Sequence, residues 1–143
     1  MSNSTSRSLI GRFYDEVLND RRLEVIDEIA SEGYVEHDPL PGQGEGREGL
    51  RDRVSALNSA LDPHFTVEDV IAEGDRVVVR WRNRGTHVES FLGLPATGKQ
   101  FDIAGIDVYR VEGGRLAEHW HVVDQLSMLI QLGFIPAPAA ATP

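Results

Sequence analysis

Two spacings of apolar residues divide the chain. Up to Leu61 they recur every three or four positions, and from Phe65 onward they alternate with polar ones. Leu9, Ile10, Phe13, Tyr14, Val17 and Leu18 form a stripe that predicts a helix over 8–18. Leu23, Ile26, Ile29 and Ala30 predict a second helix over 22–30, stopped by Gly33 before a short extended piece at 34–37. Prolines and glycines between Pro39 and Gly46 predict a loop. Leu50, Val54, Leu57 and Leu61 predict a third helix over 47–61, closed by Pro63. The alternating half predicts strands at 65–73, 76–87, 99–112 and 115–123, with Glu73-Gly74-Asp75 and Glu112-Gly113-Gly114 as hairpin turns. A last short helix is predicted at 126–132, ended by Gly133. Helices followed by a meander of strands predict an α+β fold: a cone-shaped barrel in which N-terminal helices pack on a curved, mainly antiparallel sheet enclosing one pocket. Strand parity puts Val77, Val79, Trp81 and Asn83 on the concave face and turns Arg80, Arg82 and Arg84 to solvent.

Length and charge narrow the function classes. The 143 residues suit one domain over 1–143, with the polar 1–7 and the Pro/Ala-rich 136–143 expected as flexible ends. A formal charge of -9, with no basic cluster beyond the strand arginines and Arg47, Arg51 and Arg53 on a helix, argues against nucleic acid and anionic membranes as partners. The absence of cysteine excludes disulfides, thiolate metal sites and thiol nucleophiles. No apolar run approaches the ~20 residues that span a bilayer, and a cytoplasmic location is expected. Phosphate-binding glycine loops and a G-x-S-x-G nucleophile elbow do not occur.

The richest segment in polar groups runs from Arg110 to Asp124 and contains Glu118-His119-Trp120-His121-Val122-Val123-Asp124. With Gly105-Ile106-Asp107-Val108-Tyr109 before it and Leu129-Ile130-Gln131-Leu132-Gly133 after it, this segment resembles the SnoaL-like polyketide cyclases and ester cyclases of the nuclear-transport-factor-like superfamily. The N-terminal helix and Glu36-His37-Asp38-Pro39 extend the likeness over nearly the whole chain. The resemblance implies an α+β cone and ring closure of a polyketide by an intramolecular aldol step, without metal or organic cofactor. It also implies an aspartate acid/base at the end of the last long strand, which here is Asp124. An aspartate beside indole and aliphatic groups has a raised pKa, as a proton shuttle requires. The alternative is that Asp124 caps the last helix.

Parity groups Asp124 with Glu118, Trp120 and Val122, and sets His119 and His121 on the opposite face, so on an unbroken strand only one set enters the pocket. In the family that the segment resembles, the residue after the tryptophan is commonly acidic, and this chain departs from that pattern with His121. His37, at the mouth of a Pro/Gly loop, is a candidate substrate or water contact. Asp107 shares the parity of Phe101, Ile103 and Gly105 and is a candidate second pocket carboxylate, with pairing to an arginine or a neighbouring strand as the alternative. His119 and His121 are further acid/base candidates, with an ordinary exposed strand face as the alternative, and Trp81, Trp120, Tyr14 and Phe13 are expected to hold an apolar body. The histidines and Asp38 lack a third metal ligand of evident geometry, so no metal is expected. The function expected is cofactor-independent acid/base catalysis of polyketide cyclase type on a small apolar or aromatic carbonyl substrate, in a homodimer. The alternatives are a non-catalytic ligand-binding or dimerisation module of the same fold, and an enzyme resembling epoxide hydrolases or steroid isomerases.

Overall fold

A computed structural model describes residues 3–139. Helix α1 (Asn3–Gly11) runs on without a break into a wider helix of π type over Arg12–Asn19. In the last turn the Asp20 N–H bonds the carbonyl of Asp15, five residues back, at 2.9 Å. This bulged segment buries Phe13, Tyr14, Val17 and Leu18 on one side, and such bulges recur at functional sites. The helix begins at Asn3 rather than at position 8, so 3–7, expected as part of a flexible end, is helical and buries Ser6 on the side of Leu9 and Ile10. The expected flexibility of 1–2 and 140–143 lies outside the described residues.

The second expected helix divides. A 3-10 turn at Leu23–Val25 leads to a four-residue helix α2 (Ile26–Ile29), and strand β1 (Ala30–Glu36) starts where helix was expected to end. Ala30 turns extended because it pairs with Leu116 of the last strand, while Arg47 Nη1 holds the carbonyls of Asp27 and Ala30, each at 3.2 Å. Helix α3 (Gly46–Leu61) ends where Asp62 takes a left-handed conformation (φ 40°) ahead of Pro63.

Strands β2 (His64–Glu73), β3 (Arg76–Thr86), β4 (Gln100–Glu112) and β5 (Arg115–Val123) follow the expected order, and α4 (Gln125–Gln131) closes the chain. The five-stranded sheet has the order β1-β5-β4-β3-β2; β1 runs parallel to β5 and the other pairs are antiparallel. It is not closed: β1 and β2 form its edges, and the helices cover its concave face. Val77, Val79, Trp81 and Asn83 are buried there, while Arg80 and Arg84 are exposed on the other side.

One glycine sets the depth of that face. Trp81 pairs with Gly105 on β4, and a Cβ on Gly105 would lie 2.2 Å from the Trp81 ring. The indole therefore lies flat across β4, which brings its Nε1 to Asp107, two residues farther along.

Candidate active site

A pocket opens into the concave side, walled by apolar groups such as Leu50 and Leu57 of α3, Ile103 of β4 and Met128 of α4. Polar atoms gather where β4, β5 and β1 meet. Asp107, at 6 % exposure, is the hub. Its Oδ2 accepts from Trp81 Nε1 at 2.8 Å, from Tyr14 Oη, and from Tyr109 Oη at 3.4 Å. Its Oδ1 lies 2.9 Å from His119 Nε2, and the other nitrogen of that ring, Nδ1, lies 2.7 Å from Glu36 Oε1. Arg53 Nη1 meets the same Glu36 oxygen at 3.2 Å.

These contacts fix protonation. Ionised carboxylates only accept, so a ring with one on each nitrogen donates from both and is an imidazolium. Burial opposes that charge, but the hydrogen bonds to Asp107 and Glu36 outweigh it and His119 lies above the ordinary histidine range. Burial would likewise raise Asp107 and Glu36, and their bonds to His119 bring both below the ordinary carboxylate range. Asp107, His119, Glu36 and Arg53 thus alternate in sign and sum to zero, the condition under which buried charges are tolerated. Tyr14 and Tyr109 are pushed well above the usual phenol value by burial and by Asp107, so both stay protonated.

His121 is held differently. Its ring stacks on His119, with centroids 4.9 Å apart and planes 4° from parallel. Its Nε2 lies 2.7 Å from the backbone carbonyl of Asp38, and its own N–H bonds Asp38 Oδ2 at 3.0 Å. A carbonyl only accepts, so Nε2 carries the hydrogen and Nδ1 keeps its lone pair. That Nδ1 is buried and has no partner among the described residues. Burial, and then the charge of Arg53, hold His121 below the ordinary histidine range. The pocket wall therefore includes a neutral imidazole with one free basic nitrogen.

Among the described residues, Glu36, His119 and His121 bring ligand atoms within 4.8 Å of one another. Both nitrogens of His119 are already bonded to carboxylates, and the Arg53 guanidinium sits on Glu36. The trio therefore makes a poor cation site.

The sequence profile described as SnoaL-like polyketide cyclase matches residues 8–132. The chain belongs to the SnoaL-like polyketide cyclase family. It is 30% identical over 136 residues to the aklanonic acid methyl ester cyclase DnrD of Streptomyces peucetius, covering 91% of this chain and 92% of that one. The corresponding cyclase DauD of Streptomyces sp. (strain C5) is 29% identical over 111 residues, covering 76% of this chain and 67% of that one. Among solved structures, TsrD from Streptomyces laurentii superposes with a TM-score of 0.87 at 29% identity, covering 94% of this chain and 99% of that one. IdmH from Streptomyces antibioticus gives 0.77 at 33% identity, covering 89% and 97%.

In this SnoaL-like chain the residues singled out from sequence separate into two groups. Asp107, His119, Tyr14, Phe13 and Trp81 come together at the pocket. Asp124, His37 and Trp120 do not. Asp124 is exposed one residue past β5 and caps α4, accepting from Ser127 N at 3.0 Å and Ser127 Oγ at 2.6 Å; these bonds lower its pKa, opposite to the rise expected. Strand parity is the physical reason: β5 turns 119 and 121 inward, so 120 turns outward and Asp124 begins the helix. Trp120 stacks on the exposed His37 at 4.5 Å, with the Arg76 guanidinium 5.2 Å from its ring, and His37 Nε2 lies 3.6 Å from Glu118. That cluster lies on the outer side of the sheet.

Sequence reasoning also left out Glu36, Arg53, Tyr109 and the anchoring role of Asp38. Signals existed: Tyr109 shares the parity of Asp107, and Arg53 falls within the apolar stripe Leu50, Val54, Leu57, where a charge is out of place.

Proposed function

We propose that this protein is an acid/base cyclase that closes a ring by an intramolecular aldol step, with His121 Nδ1 as the proton acceptor. The observation that carries the reading is the free, buried Nδ1, set by the Asp38 carbonyl on the other nitrogen. Nδ1 takes a proton from the carbon beside a substrate carbonyl. The resulting enolate carbon attacks a second carbonyl carbon, a C–C bond forms, and the new alkoxide recovers the proton from His121. The step is redox-neutral and returns the base to its starting form. Arg53 lines the same pocket with an unpartnered buried Nε, and its N–H is suited to stabilise the enolate oxygen. The His119 imidazolium beneath the His121 ring keeps the base neutral before the reaction, since a second cation 4.9 Å away is disfavoured.

The names of the relatives support a methyl ester polyketide such as aklanonic acid methyl ester as the first substrate to test. The cavity measures about 60 Å³, well under the ~150 Å³ that admits benzene in an engineered apolar cavity. A ring system therefore enters only as the lining moves, and two of the lining groups, Leu40 and Phe91, stand on connecting segments rather than on the sheet. The test is turnover of that ester by the wild type and by His121→Phe. We expect the variant to lose at least the ~10²-fold typical of a missing general base. A variant that keeps the wild-type rate would remove His121 from the chemistry, and a wild type that binds the ester without cyclising it would favour the binding-module reading.

A further inference from the structure

The end of the pocket away from His121 holds a second polar group that the proton transfer does not use. Asn83, on β3, is 3 % exposed and lines the cavity, yet its Oδ1 is buried without a hydrogen-bond partner among the described residues. Its strand neighbours across the ladders are Phe65 and Ile103, both apolar. A side-chain carbonyl in such surroundings is costly to leave unbonded, and leucine would fill a similar volume without that cost.

Register places it relative to the reacting end. Asn83 stands opposite Ile103, whereas Asp107, four residues farther along β4, stands opposite His121. At ~3.3 Å per residue the two polar levels lie ~13 Å apart along the strand. Trp81 and Val123, both opposite Gly105 midway between the two levels, supply an apolar wall between them.

We propose that Asn83 is a specificity residue whose Oδ1 accepts a hydrogen bond from a hydroxyl or N–H on the substrate, remote from the carbonyl that reacts at His121. The ligand class is a flat, largely apolar ketone with a donor at its far end. The inference rests on the reading of this cavity as the substrate site, but its test uses binding alone and so stands apart from the test of His121 as base.

Three probes serve: an acetonaphthone, its analogue with a hydroxyl on the ring remote from the acetyl group, and the corresponding methoxy compound, which has an acceptor but no donor. Binding to the full chain is followed by probe fluorescence. The wild type is expected to bind the hydroxyl probe about tenfold more tightly than either of the others, the factor one neutral hydrogen bond supplies. Asn83→Leu is expected to level the three affinities and to melt no lower than wild type, since it removes an unpaired polar group. His121→Phe is expected to retain the preference. Equal wild-type affinities, a methoxy probe as good as the hydroxyl probe, a preference that survives Asn83→Leu, or no binding of any probe would each overturn the proposal. A preference held by His121→Phe in a protein whose turnover that change leaves untouched would reject His121 as the base and leave Asn83 as assigned.

Discussion

Replacing His119 by Leu removes the central positive charge from the buried chain Asp107, His119, Glu36, Arg53. The ring has 1 % of its side chain exposed, and its carboxylate partners 8 % and 6 %, so water cannot take its place. Asp107 keeps Tyr14 and Trp81 as donors but loses its one direct ionic contact, and Glu36 keeps Arg53. Removing one partner of a buried ion pair costs ~3–5 kcal/mol. For a domain of this size that corresponds to a fall in Tm of roughly 10–15 °C.

The pH dependence distinguishes this cause from a simple packing defect. His119 has a raised pKa in the fold, so its contribution is full below the unfolded value of ~6.5 and is lost as pH rises through the folded value. Asp107 and Glu36 have lowered values, so theirs are full above the unfolded ~4 and are lost as pH falls through the folded values. The wild-type advantage over His119→Leu is therefore largest at roughly pH 5–6.5 and shrinks on both sides. Circular dichroism melts of both proteins from pH 3 to 9 measure it. A deficit below ~1 kcal/mol, the size of an ordinary hydrogen bond, or one that is flat across that range, would refute the charge chain.

Four further outcomes follow from named contacts. Asp124→Ala removes the α4 cap and should cost ~1 kcal/mol of stability with turnover unchanged; chemical denaturation and the ester assay check both, and a large loss of rate would return Asp124 to the site. Gly105→Ala drives a methyl into Trp81, displacing its Nε1 from Asp107, and should cost at least the ~1–3 kcal/mol of an overpacked core in a melt. Trp120→Ala alters only the outer face, so kcat should stay within about twofold of wild type; a substantial loss would place Trp120 at the substrate. Because His121 must be neutral to act and its pKa is lowered, kcat/KM should rise with pH through a value below ~6.5 and be flat at neutrality; activity that grows on acidification would contradict this.

The fold was legible because its period change is sharp. From Phe65 onward the strands fall within a residue or two of their expected bounds, and the concave set Val77, Val79, Trp81 and Asn83 follows from alternation alone. The start of β1 was not legible, because Ala30 becomes a strand by pairing with Leu116, more than eighty positions away, against a local helical pattern. At the site, alternation posed the choice between 119/121 and 124 without making it, and the resemblance pointed to Asp124, which instead caps α4. What decides it is the parallel pairing of β1 with β5, which sets Glu36 opposite His119 and so makes the histidine face the buried one. Arg53 and Glu36 were hidden for the same reason: each is an ordinary charged residue until the fold brings it to the other.

The pocket presents a neutral His121 with a free Nδ1 beside a His119 that carries its charge between two carboxylates. Long-range proton–nitrogen correlation of the histidine side chains, recorded at neutral pH, reads both states in one spectrum. The expected spectrum shows the Nε2–H tautomer for His121 and two protonated ring nitrogens for His119. A His121 protonated on Nδ1, or a His119 that is neutral under those conditions, would contradict it.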